Sequence, residues 1–300
     1  MRGFSERNLV TETFVATERD RLAMLQWQHF DAVRMGSTLG AEISGVDLTT
    51  DLPEVVVAEL RQALLDYKVL SFREQPMSAA QHVVFARRFG ELEIHPFVPS
   101  NTGHPDLIRF RKSGQVTGFE NGWHHELTWR ERPSLGVIQH ALEVPVLGGD
   151  TLFSDMYAAY ELLDEETRSL IDSRDAIHDF SRVFGNALPE DKREVMRDAH
   201  PTVKHPMVCV HPETGRRHLF VNQIFVEQID GMDRDAGAEL LDRVCHRIAD
   251  HPEHQVRLRW EPHTVAFWDN RAVQHYTMPD YWPTIRVMDR ASIVGTRPHR

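Results

Sequence analysis

The 300-residue sequence predicts an α+β fold, a double-stranded β-helix (jelly-roll) core with flanking helices. Three observations point there. Helical periodicity is strong before residue 90, and many short apolar segments separated by turn residues follow it. The chain also lacks both G-x-G-x-x-G and G-x-x-x-x-G-K-[ST], so neither a dinucleotide-binding fold nor a phosphate loop is supported. A hydrophobic fraction of 41% beside 26% charged residues suits a globular chain with a sizeable core.

The elements follow in order. MRGFSERNLVTETFVATERDR mixes charges without a continuous apolar run, so it does not read as a secretory signal. Residues 1–30 are expected to be an N-terminal extension, helical around 18–29, and residues 31–300 a single domain. STLGAEISGVDL suits a short strand and turn. PEVVVAELRQALLDYK predicts an amphipathic helix, because Val57, Leu60, Ala63, Leu64 and Tyr67 share a face and Pro53 fits the first turn. KVLSFRE reads as a strand. Ser78 is then expected to cap a helix that runs to Phe89 and ends at Gly90. Beyond His95 the pattern is mainly β: DLIRFR, LGVIQHAL, GDTLFSD, DAIHDFS, MVCVH, RHLFVN, QVRLRW, TVAFWD and IRVMDRASIV, interrupted by helices over 154–173 and 233–250.

Composition excludes several roles. A net charge of −11 argues against nucleic acid as a partner, since phosphate binding needs a basic face. No run of about 18 apolar residues exists, which excludes a conventional membrane-spanning helix, and a cytoplasmic protein is expected. Cys209 and Cys245 are too few for a disulfide framework or a cysteine-based zinc site. Of the 18 histidines only a few can be ligands.

GWHHELTW places His124, His125 and Glu126 side by side. A metal site, an acid/base pair and a polar loop without chemistry are all open from these residues alone. On a strand, His124 and Glu126 would face one way and His125 the other, which makes His125 an outer-sphere or solvent residue. The first two would supply part of a two-histidine, one-carboxylate triad that leaves three positions of an octahedral iron open. TVAFWDNRAVQHYTMPDYWPTIRVMDRASIVG offers His275 as the second imidazole, after an apolar strand and a turn at Asp269 and Asn270. Arg286 lies eleven residues later, where an antiparallel return would bring it beside His275 to grip a carboxylate bidentately.

These residues carry a family resemblance. GAEISGVDLT, RFGELEIHP, GWHHELTW with the following RP, GGDTLF, HPETGRRHLFVN and FWDNRAVQHY…IRVMDRASI occur in the order seen in the TauD/TfdA group of iron(II)- and 2-oxoglutarate-dependent dioxygenases, which the chain resembles from about residue 40 to 298. Within that group it is most similar to the taurine dioxygenases. The resemblance implies that His124, Glu126 and His275 ligate Fe(II), and that Thr151 and Arg286 hold the distal carboxylate of 2-oxoglutarate. It further implies that Arg290 holds the anionic group of a small-molecule substrate, such as a carboxylate or sulfonate, with His95 and Phe225 lining its pocket. The implied activity uses O2 to oxidise, most simply to hydroxylate, a substrate C–H bond with release of succinate and CO2. A homo-oligomer is compatible, since similar proteins often form dimers or tetramers.

The departures are informative. Glu126 stands where the family usually has aspartate; it is one methylene longer but still a hard oxygen ligand, and it argues against a halogenase, which needs a small residue there. Val98 replaces an expected tyrosine and Glu120 an expected asparagine, so taurine itself is not the expected substrate. If Glu120 faces the pocket, it favours a substrate with a cationic or hydrogen-bond-donating group. Two rivals remain on the same scaffold: a zinc hydrolase, which gives no role to Thr151 and Arg286, and a non-catalytic jelly-roll binding protein, which would not be expected to keep the triad.

Overall fold

The computed structural model describes residues 2–112, 118–185 and 188–300. Its helices are α1 (Arg2–Ala23), α2 (Glu54–Tyr67), α3 (Ala79–Arg87), α4 (Met156–Glu161), α5 (Glu165–Ile171), α6 (Ser181–Phe184), α7 (Glu190–Ala199) and α8 (Arg234–Ala249). The strands are β1 (Asp31–Arg34), β2 (Ala41–Ser44), β3 (Val69–Phe72), β4 (Ile108–Lys112), β5 (Ser134–Glu143), β6 (Thr151–Asp155), β7 (Asp175–His178), β8 (Val203–Pro206), β9 (Val208–Val210), β10 (Arg217–Leu219), β11 (Val226–Ile229), β12 (Gln255–Leu258), β13 (Val265–Asp269), β14 (Val273–Thr277) and β15 (Arg286–Val294). Among the described residues no helix is long and apolar enough to cross a membrane.

The core is the expected jelly-roll type. A seven-stranded sheet, β1-β2-β3-β13-β5-β15-β4, packs on a three-stranded sheet, β12-β6-β14. Val137, Ala266, Trp268 and Met288 of the larger sheet meet Phe153, Val256, Leu258 and Val273 of the smaller one in a single apolar layer. Every side chain in that layer comes from alternate positions of its strand, the arrangement that lets two sheets share a core. The outer face of the large sheet is covered by α2 and α3, whose Val57, Leu60, Leu64, Val83 and Phe85 bury against Ile138, Phe267 and Ile293. Helix α3 begins in a full capping box, with Ser78 and Gln81 satisfying each other's backbone N–H groups.

Several sequence expectations change. The helix expected over 154–173 is two helices, because Asp155 caps α4 through the N–H groups of Tyr157 and Ala158, and Asp164 starts α5 by capping Thr167. The N-terminal helix spans α1 rather than 18–29. Its end is docked, since buried Glu18 accepts from Lys68 Nζ at 3.0 Å and from Arg216 at 2.9 Å, and Lys68 also reaches Asp155 at 3.0 Å. Trp27 closes the joint by donating to the Tyr67 hydroxyl. Helix α7 escaped sequence reading because it fully buries none of its residues and Val195, Met196 and Ala199 are its only apolar positions.

A candidate metal and anion site between the two sheets

His275 projects from β14 of the small sheet, one position on from the fully buried Gln274. The His124 segment is not the strand its sequence suggests. It makes one isolated antiparallel bridge to His275, with N–H donations to carbonyl oxygen of 3.2 and 3.0 Å in the two directions. The chain then turns at once, with Leu127 at φ 57°. Glu126 opens that turn. Asn270, fully buried in the turn before β14, fixes it there: its carbonyl accepts from Glu126 N–H at 2.7 Å, and its amide donates to Glu126 O at 3.0 Å and Ser134 O at 2.9 Å. The sequence reading took Asn270 only as a turn residue. Its place one residue beyond an apolar strand gave no sign that both amide ends would be used.

One ligand atom from each of His124, Glu126 and His275 lies within 4.8 Å of the others, and all three residues are buried. Glu126 Oε1 is 3.6 Å from His275 Nε2 and 4.0 Å from His124 Nε2. The His124 Nδ1 is 2.7 Å from the Gly122 carbonyl, which points its Nε2 inward and leaves that nitrogen as a lone-pair donor. Burial, with His275 beside it, pushes the His124 pKa down to about 3, so the ring is neutral at physiological pH as a ligand must be. Burial alone would raise the Glu126 pKa, but Arg290 and the two histidines outweigh it and hold the carboxyl well below its usual range. Two imidazoles and one carboxylate, converging in a buried space, fit a divalent iron site with room for further ligands. His125 turns away as expected. It is not in solvent, however: it is fully buried, its ring 4.8 Å from that of Phe220.

The expected antiparallel pairing of the His275 strand with the Arg286 strand does not occur. β14 belongs to the small sheet and β15 to the large one, so the two residues face each other across the core. Arg286 is 6% exposed, and its Nε and one terminal nitrogen have no hydrogen-bond partner among the described residues. Desolvation pushes its pKa down to about 10. Gly149 gives its stem room; φ is +71° there, and a Cβ would sit 3.3 Å from the Arg286 Cδ. Thr151 on β6 is buried and accepts from Trp260 Nε1 at 3.0 Å, which leaves its own hydroxyl proton available. The guanidinium of Arg286 lies 5.8 Å from the centre of the same indole, so Trp260 spans the two residues. Trp260 was not singled out from sequence, where it is one of six tryptophans.

Arg290 lies two strand repeats further along β15, with its guanidinium 4.7 Å from the centre of the Phe110 ring. Its terminal nitrogen is 2.5 Å from Glu126 Oε1. His95 is buried, and its Nδ1 accepts from the N–H groups of Phe97 and Val98. Burial, then the Arg290 charge, pushes its pKa down to about 3. Phe225 is buried with its ring 6.3 Å from that of His124. Glu120 is partly exposed on the short 3-10 turn Phe119–Asn121, with its carboxylate 2.7 Å from Lys112 Nζ; its charge also acts on Arg286.

Comparison with known proteins now bears on this geometry. The sequence model of the family described as "Taurine catabolism dioxygenase TauD, TfdA family" matches residues 31–292. The chain belongs to the TauD/TfdA dioxygenase family. It is 33% identical over 276 residues to an α-ketoglutarate-dependent sulfate ester dioxygenase of Pseudomonas putida, covering 89% of this chain and 90% of that one. It is 32% identical over 277 residues to an alkylsulfatase of Acinetobacter baylyi, covering 89% and 86%. A taurine dioxygenase structure from Burkholderia xenovorans superposes with a TM-score of 0.78 at 33% identity, over 90% of this chain and 91% of that one. This TauD/TfdA member is therefore an oxidoreductase, a dioxygenase that depends on α-ketoglutarate (2-oxoglutarate), and the family implies iron and O2.

Proposed function

We propose that the enzyme uses Fe(II) and 2-oxoglutarate to oxidise a C–H bond of a small organic anion, of the sulfate ester or sulfonate class, with release of succinate and CO2. The observation that carries the reading is a buried two-histidine, one-carboxylate cluster in the same inter-sheet space as a buried guanidinium that still has N–H groups to give. A hydrolytic zinc site would need the first but has no use for the second. Residues 31–300 would form the catalytic domain, with 1–30 an extension docked through Glu18.

In this reading His124, Glu126 and His275 hold the metal. When bound, the iron and its 2-oxoglutarate supply the activation of O2 needed to oxidise an unactivated C–H bond. The rest is positioning by the chain. Arg286 and the Thr151 hydroxyl orient the distal carboxylate of 2-oxoglutarate, and the ion pair so formed ends the cost of burying an unpaired guanidinium. Arg290 takes the substrate anion, while His95 and Phe225 wall the space beside it. Neutral His95 adds no charge of its own there, so the anion is read by Arg290. Glu120, paired with Lys112, acts at the margin of the site. Hydroxylation of the carbon that bears an ester oxygen gives a hemiacetal-type product, which collapses to an aldehyde and the free acid anion.

The test is an anaerobic titration of metal-free protein with Fe(II) and 2-oxoglutarate, followed by the weak visible charge-transfer band of their chelate. The band should appear in wild type and vanish in Arg286→Gln at the same ligand concentrations. Tight zinc binding without any such band in wild type would transfer the site to the hydrolase or binding-protein reading.

A further inference from the structure

Glu126 Oε1 is shared. The oxygen that faces the two imidazole Nε2 atoms at 3.6 and 4.0 Å is also the one 2.5 Å from the Arg290 guanidinium. Both partners are nearly excluded from water, Glu126 at 4% exposure and Arg290 at 6%. We propose that Arg290 couples metal binding to substrate-anion binding: without metal its guanidinium is occupied by Glu126, and a metal that draws on Glu126 frees it for the anion. The inference rests on the reading above of Glu126 as a ligand and Arg290 as the anion site.

The physical case has three parts. An anion that reached Arg290 in metal-free protein would have to displace a buried carboxylate and leave it as an uncompensated charge, beside a second negative group. A divalent metal removes both penalties at once, because it takes over the neutralisation of Glu126. The longer arm of glutamate also matters. Asn270 fixes the Glu126 backbone at both its N–H and its C=O, and the side chain, one methylene longer than aspartate, carries one oxygen to both the imidazoles and Arg290. Arg286, four residues away, has no carboxylate within ion-pair distance among the described residues, so the cosubstrate end carries no such competition.

Linkage makes the coupling reciprocal. If metal raises anion affinity by some factor, the anion raises metal affinity by the same factor, on the order of tenfold for a coupling of this kind. The experiment uses Co2+ as a visible probe metal and inorganic sulfate as the anion, at matched ionic strength and without 2-oxoglutarate. Arg290→Gln should bind Co2+ about tenfold more tightly than wild type, because nothing then competes for Glu126. Sulfate should tighten Co2+ binding to wild type and leave Arg290→Gln unchanged. Weaker or equal Co2+ binding by Arg290→Gln would overturn the proposal and make Arg290 a support for the ligand rather than its competitor. A sulfate effect that is absent from wild type, or equal in both proteins, would overturn it too. Should Arg290→Gln fail to fold, metal-free Glu126→Gln, which keeps the side-chain shape, should bind sulfate about tenfold more tightly than metal-free wild type, and unchanged affinity would sink the idea. Failure of wild type to take up Co2+ at all would instead remove the functional reading beneath it.

Discussion

Arg286 and Arg290 lie four residues apart on β15, point into the same inter-sheet space and are each 6% exposed. Arg290 is neutralised within the protein by Glu126 at 2.5 Å, whereas Arg286 keeps two buried nitrogens without an acceptor among the described residues. Burial is thus the same and pairing is opposite. A guanidinium without an acceptor in this setting costs stability that an anionic ligand would recover, which is why Arg286 is proposed as the cosubstrate anchor. A paired one marks a site whose availability depends on what else its partner binds.

The largest expected effect would separate the two on cosubstrate. Arg286→Gln should weaken 2-oxoglutarate binding by about 100-fold, the loss of a bidentate charge-assisted contact, while Arg290→Gln changes it by less than about threefold. Calorimetric titration in the presence of a redox-inert metal reads both, and equal losses would break the distinction. Ligand-free stability should then shift in opposite directions. Arg290→Met strands the buried Glu126 carboxylate and should destabilise the fold by about 3 kcal/mol. Arg286→Met removes an unsatisfied buried charge and should stabilise it by about 1 kcal/mol. Urea denaturation of metal-free protein gives both signs, and a destabilised Arg286→Met would mean that its guanidinium is already paired.

The smallest effect is the part of the acid response that depends on Arg290. His82, His95, His140 and His218 have pKa values pushed down to about 4, 3, 4 and 3, in each case first by desolvation. Between the ordinary histidine value of about 6.5 and those values the unfolded chain binds protons that the fold refuses, so stability falls as the pH falls through that window. Urea midpoints should therefore drop steadily from pH 7 toward pH 4. Arg290 is the second cause of the shift on His95, so Arg290→Gln should lose slightly less over the same range. A midpoint that stays flat would show that these rings accept protons while folded.

How much of this was legible beforehand varies from residue to residue. The capping box at Ser78, the face of α2 and the strands TVAFWD and IRVMDRASIV could be read because each depends on neighbours in the chain. The order of the family landmarks named the candidate site residues, of which the structure brings His124, Glu126 and His275 together. The geometry that joins them was read less well. His124 makes a single isolated bridge and the chain turns from Glu126, with Leu127 in the left-handed region, where the spacing suggested a strand. His275 and Arg286 lie on two different sheets rather than along one hairpin, because the segment between β14 and β15 crosses from one sheet to the other. Asn270 and Trp260 gave no signal at all, since an amide or an indole acquires its role from groups 144 and 109 residues away.

By itself, then, the sequence determined which side chains could ligate a metal and grip carboxylates, because ligand chemistry is a property of the residue type. It also determined the local helices and strands, through periods and caps that act over a few residues. The tertiary structure alone decided which buried charges are paired. Glu126 and Arg290 are 164 residues apart, and their contact exists only because the turn held by Asn270 faces β15 across the core. Electrostatic pairing depends on distance in space and on the exclusion of water, and neither is written in the order of the residues.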